Sequence, residues 1–156
     1  DLVVELARAA GGDGMVGGQM LDLLAAESSL QMAEITRMQR MKTGALIAFS
    51  CESAALLGKA SDTARHALRA YAHDLGLAFQ IADDLLDVEG DPDVVGKRTQ
   101  KDENAGKATF ISLLGTDRAR SQSQMLAHQA VQHLDMFPDT ADPLRALAEY
   151  VVNRNN

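Results

Sequence analysis

Three carboxylates stand close together in the stretch Phe79-Gln-Ile-Ala-Asp-Asp-Leu-Leu-Asp87, at Asp83, Asp84 and Asp87. No Lys or Arg occurs between Arg69 and Lys97, so no basic side chain lies three or four residues away to neutralise them. On a helix turning about 100° per residue, Gln80, Asp83, Asp84 and Asp87 share an arc of about 100°, with Gly76 on the same side. Leu77, Ala78, Phe79, Ile81, Ala82, Leu85, Leu86 and Val88 fill the remaining circumference. A helix this apolar belongs inside a bundle, where a carboxylate is costly unless it is paired or bound to a metal.

Oxygen ligands with no His or Cys among them suit a hard divalent cation, magnesium, calcium or manganese. Magnesium in particular is held by one or two carboxylates together with substrate phosphates, so a phosphorylated ligand should complete the site. The alternative is that the stripe lines a wet groove as a solvated face. Cations for such a ligand occur in Gly96-Lys97-Arg98, in Gly106-Lys107 and in Lys42-Thr43-Gly44, although each lysine taken singly also suits a solvated surface. A phosphate-binding loop does not account for the Gly-Lys pairs. Gly90 and Gly96 are separated by one residue too many, Arg98 stands in the Ser/Thr position, and a helix precedes the segment where a strand is required. Nor does the segment have the ligand offsets of an EF-hand.

The elements that must position these residues are helices. Pro occurs only at 92, 138 and 143, and Ala, Leu, Met, Gln and Glu dominate. Helices are expected at about 2–10, 15–26, 30–57, 62–88, 107–114, 116–136 and 142–153, and no segment reads as a strand. Gly58 suits a C-terminal cap and Ser61 or Asp62 an N-cap, and so short a connection makes the flanking helices antiparallel neighbours. Gly44 and Gly17-Gly18 interrupt helical segments, where each glycine costs about 1 kcal/mol relative to alanine. They mark a kink, close ligand approach or tight helix packing.

Composition bounds the function classes. The 156 residues, 46% hydrophobic, form one expected domain over 1–156 with a core of its own. A single cysteine, Cys51, excludes an intramolecular disulfide and a Cys-based zinc cluster. Net charge −7 and 4% aromatic residues argue against nucleic-acid binding. No apolar run approaches the roughly 18 residues of a membrane span, and a cytoplasmic protein is expected. His66, His73, His128 and His133 share no ligand spacing, although His73 falls near the acidic stripe. Met32, Met38 and Met41 read as packing residues.

Taken in order, Gly17-Gly18-Gln19, Lys42-Thr43-Gly44, the acidic stretch Phe79 to Asp87, Gly96-Lys97 and Gly106-Lys107-Ala108-Thr109 resemble the trans-prenyl diphosphate synthases, or polyprenyl synthetases. The resemblance is greatest to bacterial short-chain enzymes of the farnesyl diphosphate synthase, or geranyltranstransferase, type. It extends to Tyr150-Val-Val-Asn-Arg154. The acidic stretch looks like that family's second aspartate-rich motif. The first such motif has no counterpart in residues 1–60, where Asp13 and Asp22 stand alone, so the chain resembles the C-terminal half of such an enzyme.

The resemblance implies an all-α antiparallel bundle of the isoprenoid synthase type, here N-terminally truncated. It implies magnesium-dependent condensation of an allylic diphosphate (dimethylallyl or geranyl) with isopentenyl diphosphate to a short-chain product such as farnesyl diphosphate. Asp83, Asp84 and Asp87 would hold Mg2+, directly or through water. Lys42, Thr43, Gln80, Lys97 and Lys107 would bind the diphosphate, while Thr43, Gln80 and the Lys42 carbonyl stabilise the allylic cation. Arg154 is a candidate for contact with the second substrate. A homodimer is expected on the same ground, and these residues alone are expected to be inactive. The alternative is a non-catalytic helical module or subunit that binds diphosphate weakly.

Overall fold

A computed structural model of the chain describes residues 2–25, 30–89 and 109–154. All regular structure among them is helical: α1 (Leu2–Ala10), α2 (Met15–Ala25), α3 (Met32–Gln39), a π-helical segment (Arg40–Gly44), α4 (Ala45–Leu57), α5 (Asp62–Glu89), α6 (Phe110–Leu114), α7 (Thr116–Gln132) and α8 (Asp142–Asn153), with a 3-10 turn at Asp139–Ala141. The expected all-α antiparallel bundle of the isoprenoid synthase type is what forms.

Local chemistry explains the boundaries. Gln31 and Glu34 form a reciprocal capping box at the start of α3, with the Gln31 N–H donating to Glu34 Oε2 at 2.8 Å. Ser61, of the two candidates, caps α5 by accepting from the Ala64 N–H at 3.2 Å. Gly58 is the C-cap of α4 in right-handed geometry, and the positive φ of the turn, 50°, falls on Lys59. Pro143 lies in the first turn of α8, where its missing N–H costs nothing. Arg145 donates to the carbonyls of Leu134 and Phe137 at 2.7 and 2.9 Å, closing the turns after α7.

The single helix expected over 30–57 is instead α3, the π segment and α4 in succession. A Cβ on Gly18 of α2 would sit 2.2 Å from the Lys42 backbone nitrogen, and one on Gly76 of α5 would sit 3.3 Å from Gly44 Cα. The π segment is thus gripped between two glycine surfaces, so these glycines serve tight packing.

The core surrounds α5. Its C-terminal half buries Ala78, Ile81 and Leu85 against Ile35, Phe110, Ala119, Leu126 and Ala127. Its N-terminal half buries Tyr71 and Leu75 against Ala130, Leu134, Ala148 and Val151. Tyr71 donates to the Leu144 carbonyl at 2.8 Å, and burial pushes its phenol up to about 12. Among the described residues, no helix is long and apolar enough to cross a membrane.

Candidate functional site

The acidic stripe runs along the C-terminal half of α5, as the helical spacing predicts. Gly76, Gln80, Asp84 and Asp87 are buried. The Asp83 side chain is 44% exposed. The three carboxylates do not converge on one point. Asp84 Oδ2 accepts the Phe110 N–H at 3.1 Å, so this acid sits on the first turn of α6, where a negative charge suits the free amides. Asp83 Oδ1 lies 3.4 Å from Arg154 Nη2 at the end of α8. No three His, Cys, Asp or Glu among the described residues form a metal cage by themselves.

That arrangement fits a magnesium site of one or two carboxylates completed by phosphate oxygens better than an all-protein cage. The donor chemistry agrees, because carboxylate and amide oxygens line the stripe from Gln80 to Asp87 and the imidazoles of His73 and His133 are engaged by Asp74. His73 Nδ1 and His133 Nε2 each lie 3.0 Å from an oxygen of Asp74, tying α5 to the end of α7. His73 occupies the angular sector of the stripe yet is held by this second polar cluster.

Lys42 and Thr43 lie in the π segment, which meets α5 at Gly76, one turn before Gln80 and two before Asp83. Lys42 Nζ pairs with Asp22 Oδ2 at 2.8 Å, and Asp22 is buried in α2. In the sequence Asp22 is an isolated aspartate outside any aspartate-rich motif, and its pairing with Lys42 is visible only in the fold. Its signal was the one used for α5, a carboxylate within an apolar run, Met15 to Ala25. An ammonium has three donors, so the bond to Asp22 fixes Lys42 without exhausting it. Lys97 and Lys107 lie outside the described residues.

Arg154 is placed more firmly than its position near the end of the chain suggested. Its guanidinium lies 4.4 Å from the Phe79 ring centroid, and its side chain is 15% exposed. It lines an apolar groove of about 540 Å3 whose walls include Ile47, Cys51, Leu75 and Tyr150. Burial raises the Cys51 thiol, so this cysteine is a packing residue and no ready thiolate. A separate charged cluster joins α4 to α5. Burial would push Glu52 up, but hydrogen bonds from Arg65 and Arg69 outweigh it and hold the carboxyl below the usual range.

Comparison with known proteins identifies the family. Residues 3–144 match the polyprenyl synthetase profile. The chain is 41% identical over 160 residues to farnesyl diphosphate synthase of Escherichia coli (strain K12), covering 99% of this chain and 53% of that protein. Its fold is similar to an apo FPP/GFPP synthase from Zymomonas mobilis, with TM-score 0.83 and 50% identity over 96% of this chain and 49% of that one. It is also similar to a Helicobacter pylori geranyltransferase complexed with magnesium and isoprenyl diphosphate, with TM-score 0.76 and 30% identity over 97% of this chain and 48% of that one. The chain therefore spans about half the length of the relatives it matches. With its profile match, its all-helical fold and its acidic α5 stripe, the chain belongs to the polyprenyl synthetase family.

Proposed function

We propose that this chain forms one wall of the diphosphate site of a magnesium-dependent prenyltransferase. The reaction is condensation of an allylic diphosphate, dimethylallyl or geranyl, with isopentenyl diphosphate to a short-chain prenyl diphosphate such as farnesyl diphosphate. The observation that carries the reading is a carboxylate stripe without His or Cys on a helix buried in a bundle of this family. The magnesium and isoprenyl diphosphate named with the Helicobacter pylori geranyltransferase support the same ligand class.

Asp83 and Asp87 would hold the metal, and Asp84, whose Oδ2 accepts the Phe110 N–H, would contribute to its binding. When bound, magnesium supplies positive charge to the diphosphate oxygens as negative charge develops there. The allylic carbon–oxygen bond breaks, the diphosphate leaves with the electron pair, the isopentenyl double bond attacks the allylic carbon, and the new cation loses a proton. Lys42, fixed by Asp22, and Thr43 donate to diphosphate oxygens, and Lys97 and Lys107 belong to the same cationic set. The carbonyl oxygens of Gln80 and Lys42 and the hydroxyl oxygen of Thr43 present negative dipoles where the allylic cation forms. A cytoplasmic homodimer is part of this proposal, and the exposed Val16, Met20, Leu23 and Leu24 of α2 support self-association.

Chelation tests the reading on the full-length gene product. Condensation of geranyl diphosphate with radiolabelled isopentenyl diphosphate should cease in EDTA and return when Mg2+ is restored; undiminished turnover in EDTA would overturn it. The 156 residues alone should not turn over, because the facing aspartate motif expected in this family has no counterpart in them. Diphosphate binding without turnover by the full-length product would instead identify the non-catalytic module.

A further inference from the structure

Asp83 differs from its neighbours on the stripe. Asp84 and Asp87 are buried, so packing limits their carboxylates, and Phe110 further fixes Asp84. The Asp83 side chain is 44% exposed, so packing restrains its carboxylate less than it restrains those of Asp84 and Asp87. A metal ligand must be held close to one geometry by the groups around it.

Arg154 contributes to that hold. Its Nη2 reaches Asp83 Oδ1 at 3.4 Å, while its guanidinium packs 4.4 Å from the Phe79 ring centroid. The stack and the burial of the side chain anchor the cation independently of Asp83, so it stays in place when Asp83 engages another cation. Arg154 Nε is buried with no hydrogen-bond partner among the described residues. An arginine left in water satisfies every donor. Leaving one buried and unpaired is a cost accepted at this position for setting the charge beside Asp83.

We propose that Arg154 is a positioning residue for the metal site: stacked on Phe79, it holds Asp83 through Oδ1 and orients that carboxylate toward the divalent cation. The inference rests on the metal reading above. Loss of such an outer partner weakens metal affinity by about 10- to 100-fold in characterised sites. The full-length gene product is titrated with Mn2+ in the presence of inorganic pyrophosphate, and free Mn2+ is read by electron paramagnetic resonance.

Arg154→Leu should bind Mn2+ about tenfold more weakly than wild type with unchanged helical circular dichroism. Arg154→Lys, which keeps the charge and loses the planar stack, should fall between the two. Phe79→Leu, which removes the ring and keeps the guanidinium, should weaken binding in the same direction and serves if Arg154→Leu does not fold. Mn2+ binding by these variants as tight as or tighter than wild type overturns the positioning role. Asp83→Asn separates the two failures. If it loses Mn2+ while Arg154→Leu does not, only the role of Arg154 falls. If it too binds as wild type does, the metal reading falls with it.

Discussion

Asp22 in α2 and Asp83 in α5 are both carboxylates set into apolar helices, and the bundle treats them differently. Asp22 is buried and meets its cation inside the chain, Lys42 Nζ at 2.8 Å across a junction where glycine lets α2 touch the π segment. Asp83 remains half-exposed, with Arg154 Nη2 3.4 Å from its Oδ1, on a stripe whose buried members add further negative charge. One acid is part of a finished structural joint, and the other keeps the access that an external cation requires. The difference shows that an acid in an apolar run signals a need for positive charge without saying whether the chain or a ligand supplies it.

Substitutions at the two acids and at the glycine of α2 that meets the π segment should separate their roles. Asp83→Ala should lower turnover of the full-length gene product by about 100-fold or more while leaving its unfolding midpoint nearly unchanged. A large loss of stability with normal turnover would make Asp83 another structural acid. Gly18→Val should act in the opposite sense. Its Cβ would fall 2.2 Å from the Lys42 backbone nitrogen, and overpacking of this kind costs about 3 kcal/mol or more. Asp22→Ala should cost about 1–2 kcal/mol in denaturant unfolding, less than a fully buried pair because Lys42 is 31% exposed and can turn to water. No cost would mean that Asp22 and Lys42 do not form the joint described.

The smallest effect lies farthest from the site. Tyr71→Phe should cost about 1 kcal/mol by leaving the Leu144 carbonyl without its donor. The folded-state pKa of Tyr71 is raised, so its contribution is complete below the unfolded value of about 10 and is lost as pH rises toward about 12. The variant should therefore show a flatter stability profile than wild type across that alkaline window.

The helices were legible where local chemistry sets them. Prolines, glycines and caps mark α1, α5 and α8 closely, and α5 carries the stripe at the spacing the sequence gives. The π segment was not legible, because it follows from Gly18 and Gly76 pressing on Lys42 and Gly44 from helices remote in sequence. The same limit hid the Lys42–Asp22 pair, separated by 20 positions, and the contact between Arg154 and Asp83, separated by 71. Asp84 is equivalent to Asp83 on the helical wheel, and the packing of α6 on Asp84 and of Arg154 on Asp83 distinguishes them. Periodicity reports which side of a helix a residue occupies, whereas the partner on that side is a property of tertiary packing.

Whether the α5 stripe binds diphosphate through magnesium is decided by calorimetric titration of inorganic pyrophosphate into the full-length gene product. Binding should require Mg2+, disappear in EDTA, and weaken by about tenfold or more in Asp83→Ala. Pyrophosphate binding of equal affinity with and without Mg2+, unaffected by Asp83→Ala, would contradict it.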